Sequence, residues 1–368
     1  MTTVYLIRHG ESEGNLFRVC QGQDDELLSA TGIAQTKALG QRFKNIPLAA
    51  IYASDLYRAA MTALAVARPK RMRVQPDVRL REIALGICEG ESWGSVYRMF
   101  PELHTKPLHE IPVPGAETTA QVMERMTACM NEFAARNEGM SVVAVSHGGA
   151  ISSFLDAVMP DVKLKIAGNT AVITLGYQQG KWSLIAQPDL SHLEKAGLTA
   201  QPLFREGITD LWFKPIDPVA DADVIERIGR ESWMSVFGSL AEYRADIFSA
   251  NARRLAGRDG LASLCMDGEQ IAGMLLLDAD QTEHGIGHIS LVYLEPAYRY
   301  HGVGMQLIGR ATTVYRRMGR NILRLQVAQK NKPAIRFYQK CGFRFSPLPC
   351  SLTGQLIMKK NITVPKII

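Results

Sequence analysis

The chain holds 368 residues, 46% hydrophobic and 21% charged, with a net charge of +6; this describes an ordinary folded protein too long for one core, so two domains are expected. No apolar run approaches the ~18 residues that cross a bilayer, and the amino terminus lacks a basic stretch followed by a cleavable apolar one, which argues against a membrane span and for the cytoplasm. Charge is uneven, with 20 basic and 20 acidic side chains through residue 195, then 22 and 16, an excess that nucleic acid or a polyphosphate cofactor would serve equally. The six cysteines (Cys20, Cys88, Cys129, Cys265, Cys341 and Cys350) have no paired metal-type spacing, which suits free thiols in a reducing compartment. The best joint runs from Glu194 to Gly207, where Gly197, Thr199, Gln201 and Pro202 interrupt helical and strand patterns alike. The expected division is 1–195, a linker at 196–207, and 208–368.

In chain order, Thr3 to Ile7 reads as a buried strand that ends abruptly in Arg8, His9 and Gly10. Polar groups at the carboxyl end of such a strand sit in the crevice where open α/β sheets bind ligands. A histidine there can attack phosphorus, and a neighbouring arginine can hold two phosphate oxygens in its planar fork. Asn15 and the pair Gln21-Gly22 follow, an amide and a closely approachable backbone suited to phosphate oxygens. Leu28 to Gln35 starts a helix with Ser29 or Thr31 as cap. Ala49 to Ala53 is a second buried strand, and it delivers Arg58 by the same logic. Glu82 offers a carboxyl group which, in a partly apolar setting, can donate a proton to a leaving oxygen; alternatively it pairs with Arg79 or Arg81. Val142 to Ser146 is a third buried strand, ending in His147, Gly148 and Gly149. A metal held by His9 and His147 would lack the acidic cluster that usually accompanies one.

Residues 1–195 resemble the histidine phosphatase, or phosphoglycerate mutase-like, superfamily. The likeness rests on LIRHGESEGN, CQGQDDELLSATGIAQ, YASDLYRAAMTA, LREIALGICEG, VPGAETTAQVMERM, AVSHGGAI and the late pair NTAVITLGY and GKWSLIA, all in family order. It implies a three-layer α/β sandwich that needs no metal or cofactor. His9 would be the nucleophile that becomes phosphorylated, and Arg8, Arg58 and His147 would complete the phosphate pocket with contacts from Asn15, Gln21 and Gly22. Glu82 would be the general acid and then the base for water. Glu82 is followed by Ile83-Ala84-Leu85-Gly86, not by the glutamate-arginine-x-tyrosine-glycine stretch of true mutases, which favours a phosphatase over a mutase. Cys88 stands where many members have tryptophan and Met61 where glutamine is usual, so the mouth of the pocket is altered. Members of this layout include α-ribazole phosphatases and sugar-phosphate or nucleotide phosphatases, and the substrate implied is a small phosphorylated metabolite.

The second half opens with a strand near Asp210 to Pro215, then helical patterning over Asp221 to Arg230 and Ala241 to Ala256. Leu261 to Met266 and Gln270 to Leu277 flank Asp267-Gly268 as a hairpin. Gly287 to Leu294 reads as a central strand, followed by a loop from Glu295 to Gly304 and a helix from about Met305 to Arg317. A strand, glycine loop and helix amino terminus in succession can bind anionic groups. His284 and His288 are four apart, but the strand pattern around Ile289 argues against a helical metal pair.

Residues 208–360 resemble the GNAT acetyltransferases, with Arg299-x-x-Gly302-x-Gly304 as the pyrophosphate loop and Asn331, Ala334, Tyr338 and Gly342-Phe343 as the late motif. The resemblance implies an α/β domain with a mixed sheet that uses acetyl-CoA, lodged between the strand ending near Leu294 and the one starting near Leu323. The backbone of Leu291, Val292, Tyr293 and Leu294 would meet the pantetheine arm, and that of Tyr300, His301, Gly302, Val303, Gly304 and Met305 the pyrophosphate. Tyr338 would protonate the departing thiolate and Asn331 would help place the cofactor or a water. The general base stays open among Glu295, His288, Glu283 and a water chain. The expectation is a bifunctional enzyme acting on a phosphorylated metabolite and on an amine acceptor. The alternative makes the second half a cofactor-sensing or interaction module. Nucleic-acid binding is disfavoured because no basic cluster is interleaved with aromatics.

Overall fold

The computed structural model describes residues 1–106, 111–162, 164, 168–198, 209–258, 260–280, 284–347 and 355–366. Most of the expected linker, together with Glu283 and Cys350, lies outside them.

The first half runs β1 (Thr2–Arg8), α1 (Glu13–Phe17), α2 (Ala30–Phe43), β2 (Ala50–Ala53), α3 (Tyr57–Ala67), β3 (Val74–Pro76), α4 (Trp93–Met99), α5 (Thr119–Arg136), β4 (Ser141–Ser146), α6 (Gly148–Val158), β5 (Val172–Gln178), β6 (Lys181–Asp189) and α7 (Ser191–Lys195). Its strands form one sheet in the order β3-β2-β4-β1-β5-β6. The first four strands of that order are parallel, and β5 and β6 join antiparallel. Successive side chains of a strand face opposite ways, so a sheet covered on both faces needs continuous apolar strands. Val4, Leu6, Val142 and Ala144 accordingly pack with α5 and α6, whereas Ile7, Ile51, Val143 and Val145 pack with α2 and α3. Of the two candidate caps for α2, Ser29 is the one used, its Oγ accepting from Gly32 N at 3.0 Å; Thr31 lies inside the helix.

The second half runs β7 (Trp212–Pro215), α8 (Ala222–Phe237), α9 (Ala245–Leu255), β8 (Ala262–Asp267), β9 (Gln270–Asp278), β10 (Ile286–Leu294), α10 (Gly304–Arg317), β11 (Ile322–Val327), α11 (Lys332–Lys340), β12 (Arg344–Phe345) and β13 (Leu356–Asn361). They form a mixed seven-stranded sheet, ordered β12-β13-β11-β10-β9-β8-β7, with β10 in the middle. The hairpin about Asp267-Gly268 is present, with Gly268 at φ +55°, a conformation glycine adopts without a Cβ penalty. α8 continues seven residues past Arg230, to Phe237, whose ring centroid lies 4.2 Å from that of Trp233.

The two cores meet. Phe17 and Val19, from the first half, are buried in the core of the second sheet with Leu307, Ile308 and Ala311. Gly309 lets α10 approach this closely, since a Cβ there would fall 2.7 Å from Phe17 Cβ. Around this seam the charges are paired across the halves. Arg18 pairs with Asp210, Arg310 with Glu91 at 3.0 Å, Arg316 with Glu26 at 2.8 Å and buried Lys360 with Glu13. No helix among the described residues is long and apolar enough to cross a membrane.

Candidate active sites

Parallel pairing of β1 with β4 aligns Arg8 with Ser146, so the residues that follow, His9 and His147, emerge side by side. Their ring centroids lie 5.0 Å apart. α3, starting at Tyr57 just after β2, turns Arg58 into the same crevice, and all four side chains are buried. His9 Nδ1 is 2.7 Å from the carbonyl oxygen of Gly10. A carbonyl can only accept, so Nδ1 carries the proton and Nε2 keeps its lone pair. Burial, then the Arg58 and Arg8 charges, holds His9 well below the ordinary imidazole range, and burial with Arg58 does the same to His147. Both rings are therefore neutral near pH 7.

Opposite this lone pair is a surplus of donors. Arg8 Nε and Nη1 and Arg58 Nε are buried without a hydrogen-bond partner, as are both ring nitrogens of His147, one of which carries a proton in the neutral ring. Burial pushes the Arg8 guanidinium down to about 10, so it remains charged at neutral pH. A buried cluster of unpaired donors carrying two positive charges is costly unless an anion completes it.

The remaining predicted residues divide. Gly22, at φ +49°, is packed so tightly that a Cβ would fall 2.1 Å from Glu89 Oε1, and Arg58 donates to the carbonyls of Gly22 at 2.7 Å and Asp24 at 2.9 Å. The Gln21–Asp24 loop is thus fixed to the site through its backbone. Asn15 and Gln21 border it with their amide oxygens already engaged: Asn15 Oδ1 accepts from Ser12 N and Asn169 Nδ2, and Gln21 Oε1 from Ser12 Oγ. Glu82 is not paired with Arg79 or Arg81, which bind Asp77 and Asp55 respectively. The Glu82 carboxylate accepts from Ala150 N at 2.8 Å, Ile83 N at 3.0 Å and Gly149 N at 3.2 Å, at the amino end of α6. Those three donors fix its place beside His147, the residue that precedes α6.

Two supports were not assigned from sequence. Asn169 Nδ2 donates to the carbonyl oxygen of His9 at 3.0 Å, and Thr170, at φ +63°, donates its N–H to the carbonyl of Arg8 at 3.0 Å. Arg125 donates to the carbonyls of Arg79, Arg81 and Glu82 while paired with Glu117. Both are in the family strings, but nothing local in NTAVITLGY or in α5 points to a contact so far along the chain.

In the second half, β10 and β11 pair from Ile286↔Ile322 to Ile289↔Leu325 and no further. Leu291 to Leu294 keep their β9 partners on one edge and face the gap on the other. Arg299 donates to the carbonyl of Leu294 at 2.8 Å and lies over the Tyr293 ring, so it ties the loop to the strand end. Tyr300 takes φ +68° and Gly302 φ +79°, His301 and Gly302 are exposed, and Val303, Gly304 and Met305 turn into α10. Gly304 packs against Phe337, with a Cβ position 3.2 Å from its ring. Tyr338 lies on α11 against Phe343, its ring centroid 5.7 Å away, and burial pushes its phenol up, so it holds its proton. Asn331 is an amino-terminal cap for α11, with Oδ1 accepting from Ala334 N at 3.1 Å. Its oxygen serves the helix, in place of the expected cofactor or water. Among the base candidates, His288 lies buried within β10, and Glu295 is paired with Arg227 at 2.7 Å. The described residues contain no group of three or more histidines, cysteines or acids placed to hold a metal ion.

The parted strands, the loop and the proton-bearing Tyr338 fit a thioester cofactor with a pyrophosphate. Sequence comparison assigns a family to each half. Residues 4–189 match the histidine phosphatase superfamily (branch 1), and residues 225–343 the acetyltransferase (GNAT) family. The probable phosphoglycerate mutase GpmB of Proteus mirabilis is 30% identical over 211 residues, 54% of this chain and 98% of its own. Phosphoglycerate mutase-like protein 4 of Arabidopsis thaliana is 30% identical over 202 residues, 53% of this chain and 88% of its own. Among solved structures, Bacillus stearothermophilus YhfR is 30% identical, covers 52% of this chain and 100% of its own, and superposes with a TM-score of 0.49. The chain belongs to the histidine phosphatase superfamily and joins to that domain a second one of the GNAT acetyltransferase family.

Proposed function

We propose that the protein is bifunctional, hydrolysing a small phosphomonoester through a phosphohistidine and transferring acetyl from acetyl-CoA to an amine, with the two domains dividing at 196–207. The observation that carries the first activity is the free Nε2 of His9 facing unpaired donors of Arg8, Arg58 and His147. Nε2 attacks phosphorus and the bond to the ester oxygen breaks, with Glu82 giving that oxygen its proton. Water then attacks the phosphohistidine, gives its proton to Glu82 and releases phosphate. Arg8 and Arg58 neutralise the oxygens throughout while His147 donates its one N–H to them; phosphoryl transfer depends on such positioning and charge more than on covalent chemistry. A mutase would return the phosphoryl group to an organic acceptor, and the names of two relatives keep that reading as the alternative.

For the second activity, acetyl-CoA when bound supplies an activated acetyl thioester. The unpaired edge of Leu291 to Leu294 binds its amide arm, the Arg299 to Met305 loop its phosphates, and Tyr338 holds the proton that the sulfur takes on leaving.

The test is phosphate release from a panel of phosphomonoesters, with His9→Ala as the blank, beside capture of acid-labile phosphate on the protein. Phosphate released with label on His9 supports hydrolysis. Label on His9 that passes only to phosphoglycerate supports the mutase, and an active His9→Ala protein overturns both.

A further inference from the structure

We infer that the acetyl acceptor is a small amine that also carries an anionic group, a carboxylate or a phosphate, seated in a depression at the end of β11. This rests on the acetyl-transfer reading above. β10 and β11 part after Ile289 and Leu325, so the gap between them opens toward the end of β11. There a depression of about 520 Å³, open to solvent, is bounded by Ala328, Gln329 and the exposed Lys330 and Lys332 on one side and by Val236 and the exposed Phe237 of α8 on the other. Its size is that of a metabolite site. Asn331 stands between the two lysines in sequence and caps α11, the helix that further along carries Tyr338.

The charge of this depression is one-sided. Two lysines line it, and among the described residues no carboxylate does. The acids nearest along α8 and β10 are already engaged: Glu231 and Glu295 bind Arg227 at 3.3 and 2.7 Å, and Glu231 also accepts from the Tyr293 hydroxyl. Neither of these acids pairs with the lysines. A polyamine or a basic peptide would meet like charge, whereas a carboxylate or phosphate would be held. The same two ammonium groups favour the neutral, nucleophilic form of an amine placed near them. Phe237, backed by Trp233 at 4.2 Å, gives an apolar wall for the acceptor's carbon skeleton.

The experiment uses the full chain. Acetyl-CoA binding is measured first by calorimetry, then thiol release is followed with matched amines: L-phenylalanine against L-phenylalaninamide, and O-phosphoethanolamine against ethanolamine, with spermidine as the cationic control. In at least one pair the anionic member reacts with kcat/KM ~10-fold or more above its partner, and which pair responds tells carboxylate from phosphate. The double substitution Lys330→Gln and Lys332→Gln removes that preference through KM while acetyl-CoA affinity stays within about twofold. Preference for the amide, ethanolamine or spermidine overturns the inference, as does failure of every anionic amine to react while acetyl-CoA binds. Loss of acetyl-CoA affinity in the double variant would assign the lysines to the cofactor and overturn it too. Absence of acetyl-CoA binding by the native protein instead sinks the acetyl-transfer reading beneath it.

Discussion

At the scale of single residues, the phosphatase crevice is organised to keep two imidazoles neutral beside two guanidinium groups. His9→Ala removes the only nucleophile proposed there, and phosphate release should fall by ~10³-fold or more with acetyl transfer unchanged; equal loss of both would count against separate sites. Neutral burial also ties stability to pH. The unfolded chain binds protons to both histidines below about pH 6.5, the folded chain only far lower, so stability is full above ~6.5 and declines as pH falls from there. Each histidine contributes a slope of up to about 1.4 kcal/mol per pH unit, checked by urea midpoints between pH 7.5 and 5.5. His9, Arg8, Arg58 and His147 were legible because each closes or closely follows an apolar strand. Asn169 and Arg125 were not, since they act on backbone carbonyls far away in sequence, and no periodicity records that. Asn169→Ala should lower kcat about 10-fold by loosening the His9 backbone, with KM little changed; an unaltered kcat would dismiss it as a positioning residue.

At the scale of elements, α10 does two jobs. Its amino end carries the proposed pyrophosphate loop, while its body, through Gly309, packs on Phe17 and Val19. The loop was readable from Gly302 and Gly304; the packing was not, because an isolated glycine within a helical pattern says only that something approaches closely. Gly309→Leu should destabilise the chain by about 1–3 kcal/mol through overpacking, measured as a lowered unfolding midpoint. The opening of β10 from β11 was likewise inferred only through family likeness, since each strand alone reads as an ordinary apolar run. The cap exchange at Asn331 is a milder lesson: an asparagine before a helix with Pro333 near its start is a capping signal that a catalytic motif can hide.

At the scale of the whole molecule, the halves share a seam of buried apolar groups crossed by ion pairs. Breaking a buried pair leaves a charge uncompensated, so Lys360→Ala should cost about 3–5 kcal/mol, and the joint change of Glu13→Gln with Lys360→Met should restore much of it. Calorimetry should accordingly find one unfolding transition; two well-separated ones would mean the seam contributes little. The sequence, read half by half, points to two cores and cannot reveal such a seam. The pairing also has a consequence in time. Glu13 and Lys360 are 347 positions apart, and at roughly 5–20 residues per second a ribosome needs on the order of tens of seconds to span that interval. Phe17 and Val19 stand uncovered until α10 is made and Glu13 unmatched until β13 follows, so this face of the new phosphatase half is open meanwhile to capture by chaperones or by other nascent chains.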